Sequence, residues 1–374
     1  MKNLVFTASC IALLASTACT PATDSIATDI VVAQREVPQF AVDPGWPTLP
    51  ANWKLGIVSS VAIDAQDHVW VLHRPRTLEG AEAAQAAPPV LEFDNAGNFI
   101  QGWGGPGIGY DWPETEHGIH VDHSGQVWIA GNGTEDQILK FNSRGEFLLQ
   151  IGSRDSAGGN TDPLRLGGPA DTFVHAATNE LFVADGYGNQ RVIVYDASSG
   201  QFKRMWGAFG STPTAVSDTE AERPEGPTQF VQPVHAARVS NDGRVYVSDR
   251  GGKRVQVFNT DGKYLQQVFI GRECEAPECG NGQTAASTAF SPDVEQRFLY
   301  VGNRSQAKVM VLDRQTLEVL DEFGHWGSAP GEFGTLHHIA ADSQGNLYTT
   351  EVTPLQPENR RVQKFVFTGF ATKD

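Results

Sequence analysis

The chain has 374 residues, 40% hydrophobic and 19% charged, with 39 Gly, 21 Pro and a formal net charge of −16. That acidity argues against a nucleic-acid ligand and against a polybasic membrane surface. The Gly and Pro load fits many short strands joined by tight turns, not long helices.

The first element is a processing signal. Lys2 supplies a positive start, Leu4 to Leu14 form an apolar stretch too short to span a bilayer, and Ser16-Thr17-Ala18-Cys19 follows. Small residues before a cysteine resemble a bacterial lipoprotein cleavage box, although Ser16 stands where leucine is usual. The expectation is an exported protein with a signal peptide over 1–18, lipidated at Cys19 and anchored in the bacterial envelope, periplasmic or outer-membrane; the plainer alternative is a secretory peptide cut after Ala18. Residues 19–45, rich in Ala, Thr, Pro and Asp, read as a flexible tether.

Over 46–370 a pattern recurs six times: a short strand ending in an acidic or small polar residue, an alternating strand, a third strand, a Gly turn and a fourth strand. In the second copy these are Ile119-His-Val-Asp122, Val127-Trp-Ile-Ala130, Gln137-Ile-Leu-Lys-Phe141 and Phe147-Leu-Leu-Gln-Ile151. Four alternating strands repeated every ~40–60 residues are the signature of propeller blades. The turns Ser124-Gly125, Asp242-Gly243, Asp261-Gly262 and Gln344-Gly345 supply the positive-φ residue that hairpins need. The fold class predicted is all-β: one six-bladed β-propeller. Trp70, Trp128 and Trp206 are spaced as blade core.

Aligned on the opening strand, His117, His235 and His337 fall at one phase in the second, fourth and sixth copies, with Ser59, Asp171 and Ala286 assigned to that phase in the others. In a closed ring, alternate copies bring the three imidazoles to one axis, the ligand set of a catalytic zinc site with one open position. Zn2+ is the expected metal, although imidazole also accepts other divalent ions. The remaining histidines (His68, His73, His120, His123, His175, His325, His338) read as satisfied core or surface residues. Cys274 and Cys279, in one loop, suit a surface disulfide. The Pro- and acid-rich segment Ser211–Thr228 reads as a disordered insertion before the His235 strand, with a rim loop as the alternative.

Two segments carry a resemblance. Val183-Ala-Asp-Gly-Tyr-Gly-Asn-Gln-Arg-Val-Ile-Val-Tyr195 and Val247-Ser-Asp-Arg-Gly-Gly-Lys-Arg-Val-Gln-Val-Phe258 look like NHL repeats. More narrowly, residues 55–368 resemble the lyase domain of the peptidyl-hydroxyglycine amidating enzymes, an NHL-type propeller with zinc on three histidines beside two arginines and a tyrosine. The His117-Gly118, Pro233-Val-His235 and His337-His338 segments resemble its ligand motifs, the second with one residue inserted. Arg74, Arg250 and Tyr187 match its arginines and tyrosine. Two departures stand out: His338 replaces an aspartate associated with structural calcium, which puts Ca2+ in doubt, and Gly188 replaces a cysteine.

The resemblance implies a zinc-dependent carbon–nitrogen lyase cleaving an N-acyl or peptidyl α-hydroxyglycine-like substrate to an amide and glyoxylate. Tyr187 is then the base or alkoxide stabiliser, and Arg74 and Arg250 bind the substrate carboxylate and developing charge, with Arg304, at the same phase in copy five, as a further substrate-binding candidate. The expected partner is a small-molecule or peptide-like carboxylate, and the chain is expected to act as a monomer. Two alternatives stay open: a metal-dependent lactone or ester hydrolase, and a non-catalytic, envelope-anchored NHL binding propeller.

Overall fold

The computed structural model describes residues 35–215, 224–352 and 359–373. The expected signal peptide, the lipidation site Cys19 and residues 216–223 of the Ser211–Thr228 segment lie outside the described residues. On either side of that segment the chain is fixed: Gln229 Nε2 donates to Ser211 Oγ (2.7 Å) and Gln267 Nε2 to the Glu225 carbonyl (3.1 Å).

Among the described residues, period-two apolar alternation produces twenty-four strands in six antiparallel four-stranded sheets. The innermost strands, in chain order, are Ile57–Ile63, Glu116–Val121, Pro169–His175, Val234–Val239, Ala285–Phe290 and Leu336–Ala341. Each contacts the next and the last contacts the first, which closes a ring of six blades around a central axis. The predicted β-propeller is the architecture.

Each second strand contributes one large aromatic at the same position: Trp70, Trp128, Phe182, Tyr246, Tyr300 and Tyr348, all buried. Wedging a ring between neighbouring blades removes apolar surface from water at about 25 cal/mol per Å². The acids that end the short strands pin these rings. Trp70 Nε1 donates to Asp64 Oδ2 and Trp128 Nε1 to Asp122 Oδ2, both at 2.9 Å, and Tyr348 Oη donates to Asp342 Oδ2 at 3.0 Å. The following turns need a left-handed residue, as at Gly125 (φ 72°). Cys274 and Cys279 are joined as expected, with Cα atoms 5.4 Å apart.

The expected tether does not extend over residues 35–45, and its earlier residues lie outside the described ones. Arg35–Asp43 is a strand, paired antiparallel with Val362–Lys373 as the outer edge of the sixth blade. Val37, 1% exposed, is buried there, and Phe40 packs on Tyr300 and Phe323. The first and last parts of the described chain thus share one sheet, and residues 35–45 belong to the propeller.

Candidate metal centre

Each innermost strand carries a register irregularity beside its second strand, leaving one residue out of the pairing: Ser59, His117, Ala170, His235, Ala286 and His337. A bulge kinks the strand and re-aims the side chain it leaves unpaired. This corrects the assignment in the third copy: the residue in phase is Ala170, and Asp171 lies one position further. The bulge is common to all six copies, and the slip comes from the hairpin: six residues separate Val174 from its partner Leu181, against five between Val121 and Val127 in the second copy.

The three bulged histidines meet on the axis. Their ring centroids are 4.9 Å (His117–His235), 4.7 Å (His117–His337) and 4.7 Å (His235–His337) apart, and their exposures are 2%, 0% and 2%. Each Nδ1 lies against the carbonyl of the bulged residue in the next blade: His117 on Ala170 O (2.7 Å), His235 on Ala286 O (2.6 Å), His337 on Ser59 O (2.6 Å). That contact fixes the proton on Nδ1 and leaves Nε2 as a bare acceptor. Gly118 permits the approach, since a Cβ there would stand 2.6 Å from Ala170 O.

These imidazoles are neutral. Burial holds His117 well below the ordinary value, with the charges of Arg74 and Arg250 adding to it. Burial does the same for His235, followed by Arg250, and for His337, followed by His117 and Arg250. The consequence is a test of metal fit. Nε2 of His235 and Nε2 of His337 are 3.2 Å apart with no proton to share. Two lone pairs at that distance repel unless a cation lies between them, and the three ligand atoms fall within 4.8 Å of one another. The residues fit a divalent ion with three imidazole ligands.

Above this triangle stands Tyr187. Its Oη is 2.9 Å from His117 Nε2 and accepts from Arg250 Nη1 at 3.2 Å. Gly186 brings it there, because any Cβ would collide with Val234 O at 2.0 Å, one residue before His235. Arg74 Nε donates to the Glu116 carbonyl (2.7 Å), so its position is set from the His117 strand. Arg250 Nε donates to Gln283 Oε1 (3.1 Å) and Arg304 Nη1 to Asn281 Oδ1 (2.6 Å). The sequence-predicted set of three histidines, three arginines and one tyrosine is therefore one site. Brace and site residues also separate here: Arg254, not Arg250, forms the buried pair with Asp249 (2.8 Å), and Arg191 does the same with Asp185 (2.8 Å).

Sequence reasoning missed several neighbours. Glu116 is buried, accepts from Trp112 Nε1 (2.9 Å), leaves Oε2 without a partner, and is pushed by burial to about 7. Gln283 and Asn281 lie beyond the disulfide in a loop with no periodic signal. Beneath the histidines, His338 is the hydrogen-bonded core residue expected. Its surroundings are polar: Nε2 is 3.0 Å from Arg238 Nη2 and 3.5 Å from Asp171 Oδ2, and Arg238 pairs with Asp171 at 2.5 Å. Burial raises Asp171, but Arg238 and His338 outweigh it and hold it at about 2. A guanidinium thus balances this carboxylate on the axis. His120, also read as an ordinary residue, lies near it with Nε2 unpartnered. Arg238, His120 and His338 line a cavity of about 390 Å³ at the opposite mouth, which none of the three axial histidines touches.

Fold and site together define a class: a six-bladed NHL-type propeller with a three-histidine centre on its axis. The NHL repeat family model matches residues 230–258, most of the fourth blade. The chain is 27% identical over 286 residues to mouse NHL repeat-containing protein 3, covering 74% of this chain and 70% of that protein. It is 24% identical over 348 residues to peptidyl-glycine alpha-amidating monooxygenase B of Xenopus laevis, covering 86% of this chain but only 36% of that longer protein. Against peptidyl-alpha-hydroxyglycine alpha-amidating lyase 1 of Drosophila melanogaster it is 23% identical over 367 residues, covering 89% of this chain and 60% of that one. Among solved structures, a streptogramin B lyase superposes with a TM-score of 0.54 at 11% identity, covering 88% of this chain and 98% of the other, a likeness of fold alone. The chain is an NHL propeller that resembles the peptidyl-hydroxyglycine amidating lyases.

Proposed function

We propose that this protein is a metal-dependent lyase that splits the C–N bond of an N-acyl or peptidyl α-hydroxyglycine, giving an amide and glyoxylate. The observation that carries the reading is the convergence of three neutral Nε2 atoms beneath one phenol and a set of guanidiniums without carboxylate partners among the described residues. A divalent cation held by His117, His235 and His337, zinc by the donor set or another imidazole-accepting ion, supplies Lewis acidity that lowers the pKa of a hydroxyl placed at the open position.

The chain's own groups do the rest. Arg74, anchored through Nε on Glu116 O, offers its terminal nitrogens to the substrate carboxylate as a fork. Tyr187, acting as the phenolate beside the Arg250 guanidinium, takes the proton from the substrate hydroxyl and becomes the phenol. As the carbonyl forms, the C–N bond breaks, its electron pair passes to the amide nitrogen, and that nitrogen receives the proton. No oxidant or co-substrate is consumed. Arg250, already donating to Tyr187 Oη, stabilises the charge that develops beside it.

The test is glyoxylate release from N-butyryl-α-hydroxyglycine by purified, metal-loaded protein, with His235→Ala as control. Release that is saturable in the native protein and absent in the variant supports the reading. No release, together with turnover in an ester and lactone screen, replaces it with hydrolysis.

Export and lipid anchoring through Cys19 are part of the same proposal. Envelope fractionation of the native chain and of Cys19→Ser tests them: only the former should sediment with membranes.

A further inference from the structure

We propose that Arg304 forms a second anion subsite, so that the substrate of this propeller is a dianion: besides the carboxylate next to the reacting carbon, its acyl portion carries another carboxylate. The inference rests on the lyase reading and names its substrate class.

Arg74, Arg250 and Arg304 leave the second strands of blades one, four and five at one rim position. The pairings Val58 with His73, Val234 with Asp249 and Ala285 with Asn303, each just before the bulge and one residue before the arginine, fix that equivalence. Each is held by neutral groups only: Arg74 by the Glu116 carbonyl, Arg250 by Gln283 and Tyr187, Arg304 by Asn281. Arg250 is buried and Arg74 and Arg304 half-buried, whereas the other buried arginines of the same fold are paired differently. Arg191 lies on Asp185, Arg254 on Asp249 and Arg238 on Asp171, each within 2.8 Å of a carboxylate oxygen. Among the described residues none of the three rim arginines has such a partner. Desolvating a guanidinium without an anion is costly, and in a chain of net charge −16 three of them together mark where an anion of more than one charge is received.

The proposed reaction accounts for two. One fork binds the carboxylate that leaves with glyoxylate, and Arg250 stabilises charge at Tyr187. Arg304 has no task in that chemistry. Its side chain is nonetheless built in: Asn281 Nδ2 donates to Gln283 Oε1 (3.2 Å), Gln283 accepts from Arg250, and Ser305 Oγ donates to Asn281 Oδ1 (3.1 Å). Its Nε is buried with no partner. Burial and the neighbouring Arg250 push Arg304 down to about 10, the response of a cation lacking its counter-ion. Position supplies the direction. The charge of Arg250 bears on all three histidines and that of Arg74 on His117 and His337, while Arg304 faces Arg250 and Tyr187. Arg304 is half-buried, and its bond to Asn281 is open to solvent, whereas the three axial histidines are buried, so it stands outward of the metal triangle.

The experiment is calorimetric binding to the metal-loaded protein of two unreactive ligands without the hydroxyl, N-succinylglycine and N-butyrylglycine, which differ by one terminal carboxylate. The native protein should bind the succinyl compound about tenfold tighter, the size of one charge-assisted pair. Arg304→Gln should bring that ratio below about threefold, and Arg304→Lys, a variant that keeps the charge and guards against a folding artefact, should hold an intermediate ratio. Equal affinities in the native protein, no binding of either ligand, or a ratio unchanged in Arg304→Gln overturn the subsite. Neither ligand turns over, so this result is independent of the glyoxylate assay: a preference without glyoxylate release defeats the reaction and leaves the subsite standing.

Discussion

The phenolic oxygen of Tyr187 lies 2.9 Å from Nε2 of His117, although the two residues are separated by seventy positions in sequence. They come from neighbouring blades, and the ring closure that joins them also points Arg250 Nη1 at the same oxygen, 3.2 Å away. The relationship makes the hydroxyl separable from the ring that carries it. Tyr187→Phe keeps the edge contact with His117, whose centroid is 4.9 Å away, and removes only Oη. Glyoxylate release should fall by roughly 10²–10⁴-fold, the range of a lost general base, with metal content unchanged. Equal turnover in the variant would remove Tyr187 from the chemistry.

Metal content should follow the histidines. Native protein is expected to hold one equivalent of a divalent ion, and His117→Ala, His235→Ala or His337→Ala less than a tenth of that, by elemental analysis. Binding to the folded state alone stabilises it by mass action, so a chelator should lower the melting temperature of the native chain and not of the variants.

Stability should also depend on pH with a defined sign. Burial lowers His73 to about 4, and His73 is 0% exposed, with Nε2 on the Pro88 carbonyl. The unfolded chain therefore binds protons near 6.5 that the folded chain refuses. Stability is full above that value and is lost as pH falls toward about 4, by on the order of 3 kcal/mol for this one residue. The axial histidines shift in the same direction. Chemical unfolding of chelated protein at pH 7.5 and pH 5 measures it, and an unchanged midpoint would refute the assignment of neutral buried imidazoles.

Two arginines four residues apart should behave oppositely. Arg254 is buried against Asp249, and breaking such a pair leaves an uncompensated charge. Arg254→Gln should cost about 3–5 kcal/mol of stability. Arg250→Gln should leave unfolding within about 1 kcal/mol of native while sharply lowering kcat/KM. Denaturant melts and kinetics on both variants check the contrast.

The strand Arg35–Asp43 closes the ring, so its removal should matter more than loss of a tether. A chain beginning at residue 46 should expose the Val362–Lys373 edge and aggregate or lose cooperativity, whereas one beginning at residue 30 should melt like the full chain. Size-exclusion and thermal scans of the two truncations decide it.

The blade count, the strand order and the axial histidines were legible in the chain because alternation and repeat phase are local, one-dimensional signals. An aromatic at one position of every second strand, from Trp70 to Tyr348, can be read without coordinates. So can three histidines on alternate copies. Arg35–Asp43 was not legible as a strand, since its pairing partner is more than three hundred residues away and its composition is that of a linker. Asp171 was placed one position off because the third hairpin holds one residue more between Val174 and Leu181 than its counterpart between Val121 and Val127, a difference that only strand pairing registers. Nor did the sequence separate Arg250 from Arg254 as site and brace. Both sit in charged repeat positions, and only packing shows which guanidinium meets a carboxylate and which is left facing the axis. Repetition specified a ring, and closure of that ring decided which side chains share its centre, because convergence depends on contacts between blades that are distant along the chain.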